Sequence, residues 1–219
     1  EFERERGVII EELAMSADDP TDVLFDDFDA LVFGAHPLAR PVGATKEQIR
    51  ALDHHTVIDH YSSTYIPPRL VIAAAGGATH EEVLRMVEDA LAEAGLGSRA
   101  EAWSGDGVAA GAHLAGATRE RPVFQPGTSH TVKDTEQLGL LLGCEGLEEG
   151  HDDRFVYSVL LTMLGGGMSS RLFQSVREER GLAYAVNCVA SQFTDTGTFG
   201  IYAGCTAENA QAVIDLALT

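Results

Sequence analysis

Two glutamates, Glu5 and Glu12, lie seven residues apart in a stretch whose apolar residues follow a helical period. Seven residues are two helical turns, which puts both carboxylates on one face, about 10 Å apart along the axis. A carboxylate on a rigid helix is a competent zinc ligand, but the same spacing describes the solvated face of any charged helix. His54, His55 and His60 offer a second set of candidate ligands. Adjacent histidines point apart on a helix, and no carboxylate at i, i+4 completes a tetrahedral set beyond Asp59, so these read as surface residues. The run Gly165-Gly166-Gly167 lacks the Lys-Ser or Lys-Thr of a phosphate-binding loop, which excludes that kind of nucleotide site. It reads instead as a flexible loop feeding a Ser-capped helix.

The elements that position these groups alternate in type. Residues 3–16 carry a helical pattern, and Asp19-Pro20 opens a second helix with Leu24, Phe28 and Leu31 on one stripe. Thr45 and Gln48 form a capping box for a third helix running to about Tyr61, closed by Pro67 and Pro68. Leu70–Ala75 fits a buried strand, and Thr79 with Glu82 caps a helix whose Val83, Val87 and Leu91 face inward. Beyond a Gly/Ala/Ser-rich stretch, the spacing predicts a strand at Gln137–Leu142, a helix at Asp152–Leu164 and another after the glycine run. Strands at Ala183–Phe193 and Thr198–Cys205 follow, joined by the turn Asp195-Thr196-Gly197, then a helix from about Ala207. The fold class is α+β, with mainly antiparallel sheets packed by helices.

The chain has 219 residues, 34 acidic and 15 basic, and a net charge of -19. That balance opposes binding to nucleic-acid phosphates and suits cationic partners or simply a solvated acidic surface. No apolar run reaches the length of a membrane span, and Glu1–Arg6 is unlike a signal peptide. Cys144, Cys188 and Cys205, odd in number and set in apolar runs, read as reduced core residues, which favours a reducing, cytoplasmic compartment. The chain opens inside one helical pattern and stops inside another, so it is expected to be a piece of a longer protein.

Several segments together resemble the pitrilysin/insulinase-type zinc metallopeptidases, near the mitochondrial processing peptidase group. Glu5-Arg6-Gly7-Val8-Ile9-Ile10-Glu11-Glu12 is similar to the helix that supplies that family's third zinc ligand after an upstream His-x-x-Glu-His motif. His36-Pro37-Leu38, Arg40-Pro41, Gly43 and Thr45 follow in their family places. Leu164 to Phe173 and Val176 to Tyr184 are similar to the second-domain signature almost throughout. The resemblance implies that Glu12 is a metal ligand, with Glu5 a supporting carboxylate. It implies that Arg177 and Tyr184 donate hydrogen bonds to a peptide carbonyl as its oxygen becomes negative. Without the resemblance, Arg177 reads as a surface charge and Tyr184 as a half-buried strand aromatic.

On this reading residues 1–103 are the C-terminal part of a first, zinc-site domain, 104–118 a linker, and 119–219 the N-terminal part of a second, related domain. The implied activity is zinc-dependent endopeptidase action on peptides or presequences in the intact protein, with zinc as cofactor, peptides as substrates and a homo- or heterodimer as assembly. The histidine motif is absent from these 219 residues, so the chain alone is expected neither to hold catalytic zinc nor to cleave peptides. The alternatives are a non-catalytic partner or core subunit of the same family, and a peptide-binding module that uses a sheet edge.

Overall fold

The computed structural model describes residues 1–66, 70–95 and 120–219. The chain divides into two compact units, one of Glu3–Ile49 with Arg121–Thr219, the other of Arg50–Glu120 with Phe2. The expected linker at 104–118 and the Pro67-Pro68 stop lie outside the described residues.

The first unit is built on a three-stranded antiparallel sheet in the order β1-β3-β2, with β1 at Leu138–Glu145, β2 at Ala183–Gln192 and β3 at Gly197–Cys205. Phe199, Ile201, Ala203 and Cys205 alternate along β3 and share one face of the central strand. Ile201, Ala203 and Cys205 form the core cluster with Leu172, Val176, Ala183, Val186 and Val213, and Phe199 packs against it half-buried. Helix α7, Ala210–Ala217, contributes Val213 to it.

The opposite face takes helix α2, Pro20–Phe33. Asp19 caps it by accepting from the Thr21 and Asp22 N–H groups, with Pro20 in the first turn, where a missing N–H costs nothing. The stripe read from the sequence is the packed one. Leu24 and Phe28 lie where side chains on Gly139 and Gly143 would stand, and Leu31 where one on Gly127 would. Tyr202 of β3 stacks on Phe25, ring centroids 6.0 Å apart. The extended stretch before β1 ties α1, Phe2–Asp18, into the unit: Lys133 donates to the Ala17 and Asp18 carbonyls at 2.7 and 2.8 Å, closing the negative end of that helix.

Helix α6, Arg154–Gly165, ends against β2. A Cβ on Gly165 would stand 2.7 Å from Cys188 Sγ and 3.0 Å from the Asn187 carbonyl carbon, so this glycine serves close approach. Of the cysteines only Cys205 is buried, Cys188 is half-buried and Cys144 is exposed, near the end of an edge strand that outruns its cover. The expectation of three core cysteines is corrected for Cys144.

The predicted third helix is two: α3, Lys46–Ala51, and α4, His54–Thr64. The capping box at Thr45 and Gln48 forms, with both reciprocal bonds present. The break follows from Asp53, whose carboxylate accepts from the His55 and Thr56 N–H groups and starts a new helix. In the second unit, α5, His80–Glu93, has the expected capping box at Thr79 and Glu82. Its Val83, Val87 and Leu91 are its three half-buried positions, the rest being exposed. The strand expected at 70–75 does not form a ladder: no described residue pairs with it, and Val71 is 94% exposed. A strand is stabilised by its partner, which a local apolar run cannot supply.

Two outcomes test this packing. Gly165→Ala forces its methyl into backbone of β2 and should destabilise the chain by about 1–3 kcal/mol, read from the urea midpoint at unchanged slope. On α2, burial and then Asp26 push the half-buried Asp29 carboxyl above the usual carboxylate range. A raised folded-state pKa favours folding when the group is protonated and opposes it as pH rises through that pKa. Asp29→Asn should therefore raise the unfolding midpoint near pH 7 and have little effect near about pH 3; equal effects at both values would exclude the burial argument.

Candidate active site

Helical structure resumes at Arg171 after the glycine loop and widens at once into π-turns over Phe173–Glu178. The Glu179 N–H reaches back to the Gln174 carbonyl, an i to i−5 bond of 2.9 Å. Ser170 sits at the cap position, but its hydroxyl, 3% exposed as a residue, has no hydrogen-bond partner among the described residues. The Ser cap expected here is not made through that side chain.

The π-helix closes on Gly181, whose φ of +61° lies in the left-handed region that glycine adopts without steric penalty. Gly181 N–H donates to the Arg177 carbonyl at 3.0 Å and Leu182 N–H to the Val176 carbonyl at 2.9 Å. The closure resembles a Schellman motif opened by one residue, as the wider turn requires. Asn209 braces it from the next element by donating to the Leu182 carbonyl at 3.2 Å.

The chain then enters β2 through a bulge. Ala183 pairs with Cys205 and Ala185 with Gly204, leaving Tyr184 as the extra residue with no partner across the ladder. A bulge re-aims a side chain relative to the regular pleat. Tyr184 is 71% exposed, which corrects the half-buried strand aromatic of the regular pleat.

These two irregularities, a π-turn and a bulge around one left-handed glycine, bring Arg177 and Tyr184 together. The guanidinium carbon lies 5.3 Å from the centre of the Tyr184 ring and 4.8 Å from that of Phe173. Its ion pair, Nε to Glu178 Oε1, is long at 4.0 Å. The side chain is thus oriented by two ring faces while its terminal nitrogens have no hydrogen-bond partner among the described residues. A guanidinium and a phenol so placed are both donors for a carbonyl or carboxylate oxygen.

Glu5 and Glu12 lie on α1, both exposed. Glu5 pairs with Arg4 at 3.2 Å, and Glu12 makes no hydrogen bond or ion pair among the described residues. No bond links either glutamate to Arg177 or Tyr184. Among the described residues no group of three or more His, Cys, Asp or Glu could hold a metal, so the residues present do not by themselves make a zinc site. His54 lies edge-on to Phe2, centroids 5.3 Å apart.

Residues 51–219 match the family described as the peptidase M16 inactive domain. The chain is 42% identical over 202 residues to an uncharacterized zinc protease of Streptomyces coelicolor, across 92% of this chain and 42% of that protein. Against an uncharacterized zinc protease of Bacillus subtilis the identity is 34%, across 96% of this chain and 47% of that one. The fold matches a crystal structure described as the peptidase M16 inactive domain from Pseudomonas fluorescens, with TM-score 0.76 and 22% identity over 98% of this chain and 50% of that one. A chain of complex III2 from Candida albicans shares the fold at TM-score 0.71 and 18% identity, over 98% of this chain and 50% of that one.

The chain therefore belongs to the peptidase M16 family, the pitrilysin/insulinase-type peptidases, with the α+β fold expected of it. It spans less than half the length of these two relatives, both bacterial and both named zinc proteases. No described helix is long and apolar enough to cross a membrane.

The pairing of Arg177 with Tyr184 is measurable. An exposed cation–π contact is worth about 0.5–1 kcal/mol. A double-mutant cycle on Arg177→Ala and Tyr184→Ala, followed by urea unfolding, should return a coupling of that size; additivity would remove the contact.

Proposed function

We propose that the full-length protein is a zinc-dependent endopeptidase in which Glu12 is a carboxylate ligand of the metal and Glu5 supports it from one helical turn pair away. Arg177 and Tyr184 bind the carbonyl oxygen of the peptide bond under attack. The observation that carries this reading is the pairing of Arg177 and Tyr184 at 5.3 Å by a π-turn and a bulge, in a chain whose relatives are named zinc proteases. Donors held by backbone irregularities need no reorganisation when charge develops on the oxygen, which is where such groups act most strongly. The net charge of -19 supports a preference for basic, extended peptides, the property expected of a presequence-processing enzyme.

The second reading is a non-catalytic subunit, favoured by the family description as an inactive domain and by the fold shared with complex III2. In that case the same donors serve peptide binding or nothing.

Purified full-length protein should cleave a quenched fluorogenic basic peptide, lose activity to a chelator and regain it with zinc. Glu12→Gln should abolish stoichiometric zinc binding. Arg177→Ala should lower kcat by about 10²-fold while leaving the metal content intact. Zinc titrated into the 219-residue chain alone should show no tight one-to-one site. A full-length protein that holds zinc but cleaves nothing would decide for the second reading, and an Arg177→Ala variant with unchanged kcat would remove Arg177 from the reaction.

A further inference from the structure

Helix α1 carries Glu5 and Glu12, yet burial does not hold it in place. None of its 17 residues is buried, and Val8, Ile9 and Met15 are exposed. Its neighbour α2 is held by packing, with Leu24 and Phe28 against the glycines of β1 and Phe25 stacked on Tyr202. A single non-helical residue, Asp19 at φ −78° and ψ 118°, separates the two helices. With α2 fixed on the sheet, the direction of α1 is decided at that corner.

The C-terminal end of α1 is short of local partners. Asp19 N–H donates to the Met15 and Ser16 carbonyls at 3.1 and 3.2 Å, and the Asp19 carboxylate caps α2 instead. The last turn has no basic residue, and Asp18 and Asp19 bring charge of the wrong sign to the negative end of a helix. The Ala17 and Asp18 carbonyls find their donor 116 and 115 residues away, in the Lys133 ammonium at 2.7 and 2.8 Å. Thr131, two residues before Lys133, donates its hydroxyl to the Asp27 carboxylate of α2. The segment 131–133 thus grips the corner on both sides, and it lies in the first unit with both helices, just ahead of β1.

The corner has leverage. Glu12 stands seven residues before Asp19, about 10 Å along the helix axis, so a swing of about 10° at Asp19 moves it by roughly 2 Å. A misplacement of about 1 Å between reacting groups costs about 10²-fold in rate. A tie that removes this freedom acts on the reaction out of proportion to its own strength.

We propose that Lys133 is a positioning residue of the peptidase site: by capping α1 from the segment that leads into β1, it fixes the helix of Glu5 and Glu12 relative to the sheet of Tyr184. This role rests on the peptidase reading of Glu12, Arg177 and Tyr184. Lys133 acts through α1, and the property required of it is two N–H donors on a cation, which arginine also supplies and methionine does not.

Two measurements test it. In the 219-residue chain, Lys133→Met should speed amide exchange along α1 while β1 to β3 keep their protection, and Lys133→Arg should restore it. In the full-length protein, Lys133→Met should lower kcat on the basic fluorogenic peptide about tenfold with KM within about twofold, and Lys133→Arg should recover kcat. Lys133 is exposed, so the fold tolerates the change, and Lys133→Gln gives a second donor-poor variant should methionine cause aggregation. Unchanged exchange along α1 overturns the proposal, and so does faster exchange with wild-type kcat, which makes the tie a helix cap and nothing more. A rise in KM at constant kcat overturns it as well. A full-length wild type that cleaves nothing sinks the peptidase reading and this role together, whereas an active wild type with an unaffected Lys133→Met sinks this role alone.

Discussion

Strand β3 is the one described strand with both edges paired, and the requirements on its two faces organise the first unit. One face must be filled from the helices, and Phe199, Ile201, Ala203 and Cys205 meet Val176 and Val213 there. The other must admit α2, and the sheet makes room by placing Gly139 and Gly143 under Leu24 and Phe28. Burying apolar area on both sides of a single strand is what gives a three-stranded sheet independent stability. Because the register of β2 is set against β3, the position of the bulge, and so of Tyr184, is set there too.

The candidate site follows from that constraint. A regular α-helix running into a regular strand would place Arg177 by 3.6-residue spacing and Tyr184 by the pleat, with nothing to bring them onto each other. The π-turns shift the helix phase at Arg177, Gly181 reverses the chain, and the bulge re-aims Tyr184. Each irregularity gives up regular hydrogen bonding, and such costs persist where the surroundings hold them in place. Here Val176, the residue before Arg177, is fully buried, and Asn209 clasps the Leu182 carbonyl. The exposed donors therefore rest on a rigid base.

The sequence carried those features that arise from local chemistry. Capping boxes at Thr45 and Thr79, the Asp19-Pro20 start and the Leu24, Phe28 stripe are each decided within one or two turns, and each appears in the structure. The strand run at 70–75 and the core placement of Cys144 depended on distant partners, and there the local pattern was no guide. Arg177 and Tyr184 were singled out through resemblance alone. The π-turn has no sequence signal that separates it from an α-helix, and the bulge is marked only by Gly181 shortly before it. Tyr157 in an apolar helix and Thr196 in a turn are ordinary in sequence, and only the structure leaves both hydroxyls unpaired among the described residues.

The two ends of the sheet differ in how they use polar groups. Tyr184 is exposed and Arg177 half-buried, so their donors remain in contact with water, whose high dielectric weakens them. Tyr157 and Thr196 are already desolvated, so their unpaired hydroxyls weigh against the folded state. One sheet therefore carries both kinds of polar placement, at opposite ends, and the antiparallel register that fixes Tyr184 at the start of β2 also fixes Thr196 at its far turn.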